Sequence, residues 1–567
     1  MKKQFLLITS FVFIATVAFG GGIVTNSNQS AYWVRTLTRD ASTRADAVYF
    51  NPAGLTRLAD GFHFSLSSQT IFQSKDVSND YVNLKPTPKK YLGDVLAPVF
   101  PSFYAVWKKN KIAISFGFNP VGGGGGATFE DGLPSFELGV ADMVPTLNAL
   151  GGPIGLSATD YRREVYFKGT SVYFGYQLGL SYQITDVVSA YLGARYVAVK
   201  NTYEGYIRNV EANIGGEWTN VSEAFSDIST TYSGLAAQAT AGAAGATSIS
   251  GTMGALIGGG LPSAATLADA EGAGAITALQ RAQIEGGLTA LGIGITGGIG
   301  DIQTACNTTA TTLTTQAAQA TGASGLAGQT ATMTGMLLNQ EADVVQKGSG
   351  FTPIIGVHLA FDKLNIGIRY EFKTNIDIEN DTKKDFIVGL DGATPITMFP
   401  DGAKVSSDIP ATLSVGADYK LTPKFTASTG FHYYWDKGVG YGKTMDGVEV
   451  DNSEIIDNNY LEWALGLEYG ITDKLLVSGG YLLAKTGVSE DYQSDLSFSL
   501  TSSTVGGGLG FKFNEKLMIN AGVGYTFYKD GTKTYPHYLQ AADTNIDVTD
   551  TYYKNNLFLA IGVDFSF

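Results

Sequence analysis

Residues 557–567 read Leu-Phe-Leu-Ala-Ile-Gly-Val-Asp-Phe-Ser-Phe. Leu557, Leu559, Ile561, Val563, Phe565 and Phe567 at the odd positions are apolar, while Ala560, Gly562, Asp564 and Ser566 between them are small or polar. A two-residue period puts the two sets on opposite faces of a strand, and about 11 residues is the length that crosses an outer membrane on a tilt. An edge strand of a soluble β-sandwich has the same alternation.

The pattern recurs backwards along the chain. Leu517, Ile519, Ala521, Val523, Tyr525 and Phe527 oppose Asn520, Gly522, Gly524 and Thr526, and Leu461, Trp463, Leu465, Leu467 and Tyr469 form another apolar face. Short polar turns fall at Lys109-Asn110, Thr185-Asp186, Asp362-Lys363, Thr422-Pro423, Thr472-Asp473 and Asn514-Glu515. Longer connections lie near 73–96, 122–168, 206–350, 378–408, 437–459, 487–496 and 530–555. Short turns on one side and long loops on the other are the asymmetry of an outer-membrane barrel. Six turns and seven loops join 14 strands, an all-β antiparallel transmembrane barrel over residues 61–567 with both ends on the periplasmic side. Trp107, Tyr182, Tyr433, Trp435, Tyr469, Phe511 and Phe513 stand at strand ends, where amphipathic rings favour the depth of the lipid headgroups.

Composition agrees, since 71 Gly, 30 Tyr and 31 Phe with only 16% charged residues suit strands that are greasy on one face and small on the other. Lys2 and Lys3 precede an apolar run from Phe5 to Ala18 and then Ala18-Phe19-Gly20, the layout of a signal peptide over residues 1–20 cleaved after Gly20. No other stretch holds 18 uninterrupted apolar residues, so helical spans are not expected. A net charge of −14 argues against a nucleic-acid partner and suits acidic, hydrated surface loops. The single Cys306 forms no internal disulfide and has no second thiol for a metal site.

Gly21 to Asp60 does not alternate. Arg35, Arg39, Arg44 and Arg57 lie among small polar residues, and the stretch closes on Tyr49-Phe50-Asn51-Pro52-Ala53-Gly54-Leu55. Asn51, Pro52, Ala53 and Gly54 are turn chemistry, because proline fixes φ and glycine is permissive. A short non-alternating segment ahead of many alternating strands points to a plug over residues 21–60; a surface turn is the plainer reading of the motif. Inside a barrel, its polar groups find partners among lumen-facing Ser, Thr, Asp and Glu. Residues 206–350 also lack alternation and are rich in Ala, Gly and Thr. Helix starts stand at Leu261-Pro262-Ser263, with Asp269 and Glu271 following, and at Asp301, whose helix ends near Gly322. This reads as a long insertion in an extracellular loop, part helical and part disordered; a separate folded domain is the alternative.

Catalytic and metal chemistry is not in evidence. His63, His358, His432 and His537 are scattered without metal-ligand spacing, and Gly122 to Gly126 lacks the Lys-Ser/Thr of a phosphate-cradling loop. No nucleophile elbow occurs, so neither an enzyme nor a cofactor is expected. Arginine facing lipid near the midplane costs ~2–4 kcal/mol, so Arg195 and Arg369 should point into the lumen. With Arg35 and Arg39 of the plug they are candidates to meet an anionic head group; pairing with luminal acids such as Glu371, Glu462 or Glu468 is the alternative.

A signal peptide, a polar plug ending in Phe50-Asn51-Pro52-Ala53-Gly54-Leu55, a first strand directly after it (Phe62, Phe64, Leu66) and about 14 strands ending in Phe567 together resemble the FadL-like family of outer-membrane transporters of long-chain fatty acids and other hydrophobic compounds. The closing aromatics Phe565 and Phe567 resemble the signal read by the barrel assembly machinery. The resemblance implies a hatch-closed barrel, capture of a greasy ligand by outer loops, and sideways release where the third strand kinks. Here that strand is Ile112 to Phe118, followed by Asn119-Pro120 and the glycine run. Proline removes a ladder donor and glycine favours a bend, which puts the kink at Asn119, Pro120, Gly122 and Gly123 unless Pro120 merely opens the second outer loop. The insertion in the third long loop departs from the family pattern. The expected function is passive transfer of a hydrophobic ligand, a long-chain fatty acid, by a monomer whose other partner is outer-membrane lipid. A surface adhesin or structural barrel and a general diffusion porin are the competing readings.

Overall fold

A computed structural model of the chain describes residues 22–391, 394–445 and 448–567; the expected signal peptide lies outside the described residues. Fourteen long strands follow in chain order: β1 (Gly61–Asn79), β2 (Asp94–Lys109), β3 (Ile112–Phe129), β4 (Ala158–Gln183), β5 (Val188–Ile214), β6 (Gln340–Ala360) and β7 (Leu364–Glu371). Then come β8 (Thr412–Thr422), β9 (Phe425–Tyr434), β10 (Tyr460–Gly470), β11 (Leu475–Lys485), β12 (Ser502–Asn514), β13 (Leu517–Tyr528) and β14 (Thr544–Ser566). Each pairs with the next and β14 returns to β1, closing an antiparallel fourteen-stranded barrel.

The alternation sorts the wall into two faces. Leu66, Leu178, Leu192 and Ile561 are 59%, 62%, 68% and 61% exposed, whereas Ser67, Gln177, Ser189 and Gly562 face inward with their polar or small groups. Such a run of exposed large apolar side chains is stable only against lipid. Strands run further than the alternation indicates: β1 has 19 residues, β4 26, β5 27 and β14 23. Stretches read as loops near 73–96, 122–168, 206–350 and 530–555 therefore begin or end as strand. Beyond the bilayer no lipid face has to be greasy, so polar pairs such as Thr128↔Lys168 and Lys200↔Lys347 continue the ladder without the signature.

Before β1 come two short helices, α1 (Ala31–Thr36) and α2 (Ala47–Phe50), and a 3-10 turn at Pro52–Arg57. Ser30 caps α1 by accepting from Trp33 N at 2.9 Å. Gly22 to Thr56 is buried almost throughout, a plug of backbone and polar side chains packed against inward-facing wall residues.

Residues 143–162 and 209–338 form a second compact unit. Two long helices, α3 (Val221–Gly258) and α6 (Ile299–Leu337), run antiparallel, joined across Ser222 Oγ to Ala331 O (2.8 Å), Ser229 Oγ to Ser324 O (2.9 Å) and Ser250 Oγ to Asn307 Oδ1 (2.6 Å). Short α4 (Leu267–Gly272) and α5 (Ala278–Ala290) cover a core of Met253, Leu267, Leu288, Ile299, Ile302 and Cys306. The insertion is helical as expected, but with other helix bounds: Leu261 to Ser263, read as a helix start, lies in a connection, and α6 runs past Gly322. Glycine disfavours an isolated helix, yet here it lets helices approach, since a Cβ at Gly242 would stand 2.9 Å from Leu313 and one at Gly254 2.8 Å from Gln303. Threonine hydroxyls in turn bond the carbonyl four residues back, as Thr308 does to Thr304 O (3.0 Å). Packing of this kind overrides weak propensity.

Candidate functional site

The end of the plug nearest β1 is tied to the wall. Asn51 donates Nδ2 to Ser42 O (2.9 Å) and lies 2.9 Å from His358 Nδ1 on β6. Ser181 of β4 donates to Pro52 O (2.6 Å), and Thr56 Oγ1 meets Ser189 Oγ of β5 at 2.7 Å. Ala53 packs on Tyr191 and Ile354. Gly54 has no room for more, because a Cβ there would sit 2.5 Å from Ser42 O.

The middle of the plug is held by charge. Arg35 reaches Glu468 of β10 (3.0 Å) and Ser478 of β11 (2.6 Å), while Arg39 grips Asp46 through Nε (2.9 Å) and Nη2 (2.7 Å). Burial alone raises the Asp46 carboxyl, but Arg39 beside it and the hydroxyls of Ser42 and Ser30 bring it below its ordinary value. Both guanidiniums stack on Tyr32, at 4.0 and 3.7 Å from its centroid. Asp40 meets His432 Nε2 at 2.8 Å, and Glu462 takes the other ring nitrogen at 2.8 Å. Nearby, Arg195 forks onto Glu371 at 2.7 and 3.0 Å, and Arg369 lies 3.4 Å from the same carboxylate. Tyr49 of the plug sits beneath both arginines, and the cavity among these groups is about 20 Å³, room for about one water. Wall glycines accept the plug backbone: a Cβ at Gly506 would stand 2.7 Å from Val34 O and one at Gly466 2.5 Å from Thr36 O.

At its other end the plug becomes part of the sheet. β2 and β3 pair from Lys109↔Ile112 to Phe103↔Phe118 and resume only at Val95↔Ala127. Residues 96–102 and 119–126 are not paired with each other, although β3 stays paired with β4 on its far side through irregularities at Pro120/Gly122 and Gly123/Gly125. Into this interruption comes the plug: Asn26 N donates to Val121 O (2.9 Å), Gly123 N to Val24 O (3.2 Å), and Thr25 bridges Gly122. Asn26 Nδ2 donates to Gly123 O (2.7 Å), Gln29 Nε2 to Pro120 O (2.7 Å) and Asn119 Nδ2 to Gln29 Oε1 (2.8 Å). Backbone groups that β2 leaves unmet are thereby satisfied, as buried ladder groups must be.

A family model described as outer membrane protein transport protein (OMPP1/FadL/TodX) matches residues 272–567, more than half of the chain. The chain belongs to this family. Members of the OMPP1/FadL/TodX family are outer-membrane channels for hydrophobic compounds, so the protein is a transport channel of the outer membrane and not an enzyme. A Pseudomonas aeruginosa FadL homologue shares the fold at a TM-score of 0.54, with 11% identity over 96% of this chain and 100% of that one. A deltaS2S3 mutant of TodX, a monoaromatic hydrocarbon channel, does so at a TM-score of 0.50, with 12% identity over 95% and 99%. No curated protein matches the sequence.

In this FadL/TodX member the candidate residues fall into separate groups. Asn51, Pro52, Ala53 and Gly54 are at the tied end of the plug, and Asn119, Pro120, Gly122 and Gly123 at the interrupted seam. Arg195 and Arg369 come together on Glu371, and Arg35 and Arg39 on Tyr32. Arg35 contacts Glu468 and Ser478, Arg39 contacts Asp46, and Arg195 and Arg369 share Glu371. Phe565 faces outward and Phe567 joins β1. Sequence reasoning missed Asp40, Gln29 and the histidine clamps; Pro98 and Pro101 in β2 were a readable sign of the interruption.

Proposed function

We propose that the protein moves hydrophobic molecules, long-chain fatty acids foremost, passively from the cell surface into the outer membrane, leaving sideways through the β2–β3 seam. The observation that carries this reading is the interrupted ladder at residues 96–102 and 119–126, occupied by Thr25 to Gln29 of the plug. When that segment leaves β3, the wall has a gap facing lipid. Burying an alkyl chain is worth ~0.8 kcal/mol per CH2, so exit into the bilayer avoids the aqueous step that a straight channel would impose. A ligand opens the gate only if it binds the released plug better than the seated one. The family context supports a hydrophobic cargo, and TodX, a monoaromatic hydrocarbon channel, marks small aromatics as the neighbouring class.

The test joins plug to seam. In a Cys306→Ala background, Gln29→Cys and Asn119→Cys are linked by a short cleavable dithiol reagent and uptake of a fluorescent fatty acid is followed in cells. Linking is expected to cut uptake at least tenfold and cleavage to restore it; undiminished uptake by the linked protein rejects the lateral gate. A second reading, a surface adhesin, is favoured by the ordered helical hairpin of residues 221–337 and is separated from the first by excising it.

A further inference from the structure

The outer loop between β11 and β12 does not stand in solvent. Its residues 492–498 are all buried, the reverse of what a surface connection normally does. The base of the loop is tied to the connection between β9 and β10, where Asn458 N donates to Gly487 O (3.0 Å) and Ser489 N to Ile455 O (3.0 Å). Beyond the base the chain braces itself. Ser494 N and Ser497 N each donate to the other's carbonyl at 3.1 Å. Gln493 brackets Ser499, donating Nε2 to its carbonyl (2.8 Å) and accepting its N–H on Oε1 (3.0 Å). Thr486 Oγ1 lies 2.9 Å from Ser499 Oγ, so the two ends are close and the segment is a compact body of its own, an Ω-type loop.

Three lysines from elsewhere in the chain hold the tip of this loop by its backbone. Lys75 of β1 donates to Leu496 O (2.8 Å), and Lys443, between β9 and β10, to Tyr492 O (2.8 Å) and Ser497 O (3.1 Å). Lys533, on the strand Gly531–Leu539, donates to Asp491 O and Gln493 O, each at 3.0 Å. Asp495 accepts from Ser135 N (2.8 Å) in the first turn of the short helix Pro134–Ala141, between β3 and β4, whose N-cap Leu133 has no side-chain bond to give. Phe498 packs on Tyr552 of β14 with ring centroids 4.8 Å apart. The loop thus touches β1, β14 and two other outer connections, elements on both sides of its own strands, which places its tip inside the mouth. It lies outward of the plug: Lys75 is four residues further along β1 than Ile71, whose partner Phe558 packs on Trp33.

We propose that residues 490–499 form a lid that shuts the outer mouth of the barrel and lifts to admit ligand, a gate in series with the plug. Its latches suit a gate that opens. A buried ammonium is costly unless something compensates it, and what offsets Lys75 sits on the lid, at Leu496 O and at the ring of Phe498 4.9 Å away. When the lid lifts, Lys75 and the carbonyls it shares with Lys443 and Lys533 exchange one another for water, so little is lost net. The plug is held differently, since Arg39 grips Asp46 and Arg35 reaches Glu468, and parting such a pair strands a buried charge. The lid is therefore the outer and weaker of the two barriers and yields first. A ligand lifts it only by binding the open form better than the shut one. The lid rests on the transport reading and adds an entry step to it.

The experiment fixes the lid in the assembled protein. In a Cys306→Ala background, Phe498→Cys/Tyr552→Cys ties the tip to β14 and Ser135→Cys/Asp495→Cys ties it to the short helix, each through a short cleavable thiol-to-thiol linker. The two pairs hold the tip from different sides, and the second carries the test if the first does not assemble. Uptake of a fluorescent fatty acid by cells is expected to fall at least tenfold on linking and to return on cleavage. Undiminished uptake by the linked protein overturns the lid. An equal loss in single-cysteine variants treated with the same linker also overturns it, since added bulk and not a fixed lid would then be the block. Absence of uptake by the Cys306→Ala parent rejects the transport reading itself, whereas uptake that survives linking rejects only the lid.

Discussion

Two seams of one wall differ in how they are held together. Between β14 and β1, 17 consecutive pairs run from His63↔Ser566 to Asn79↔Asp550 without a shift. Phe567 extends that seam, exchanging backbone bonds with Phe62 at 2.9 and 3.0 Å and stacking on Phe62 and Phe64. Between β2 and β3 the ladder fails over residues 96–102 and 119–126. Proline accounts for the contrast: Pro98, Pro101 and Pro120 offer no N–H to a partner, and neither β1 nor β14 contains one. A closed barrel needs the first kind of seam for integrity; at the second, backbone groups that β2 leaves open are met by the plug.

The largest effect is expected from damage to the intact seam. Deleting Phe567 removes the bonds and stacking that complete it, and the heat-modifiable species in outer-membrane fractions should fall by about an order of magnitude, as closure is a condition for a barrel in lipid. Normal insertion of the truncated chain would show that the seam closes without this residue. Next comes removal of residues 21–47 with the Asn51 to Arg57 anchor kept. The barrel should still fold, because outside the β2–β3 gap that the plug fills the strands pair with one another, but liposomes carrying it should swell in small polar solutes. A truncated barrel as tight as the intact one would mean that the lumen is closed by something else.

A third change works on the interrupted seam itself. Replacing Pro98, Pro101 and Pro120 with threonine restores three N–H donors, and the two strands should then pair across the gap. Uptake of a hydrophobic probe is expected to drop severalfold while heat-modifiability is kept or strengthened. Unchanged uptake in a well-assembled variant would detach the exit from this seam.

The wall is legible in sequence because lipid imposes one rule on every strand, so the alternation of Leu557 to Phe567 is enough to announce it. The six polar turns follow from the same rule. What fills the wall is not legible, since Asp40 meets His432 across 392 residues and Arg35 meets Glu468 with no local pattern linking them. Inward glycines read as a small face, and only the plug backbone lying against Gly466 and Gly506 explains why they are so small. In α3 and α6, glycine and threonine carry the wrong local signal, because the stability of each helix comes from the other.

The smallest effect is expected from that hairpin. Ser222 bonds Ala331, and a Cβ on Gly335 would stand 3.2 Å from Ser222, so the two ends of the excursion lie side by side and a short Gly-Ser linker can replace residues 221–337. On the barrel side, Ile207↔Gln340 already pairs β5 with β6 without it. The hairpin has its own core around Met253, Leu288 and Ile302. Heat-modifiability and fatty-acid uptake of the excised protein should both stay within about twofold of the intact chain, a change of ~0.4 kcal/mol that is small beside any interruption of a seam. If uptake instead falls with the barrel intact, the hairpin takes part in capture; if uptake holds and binding of cells to a surface is lost, the hairpin is an adhesive device carried on a transporter.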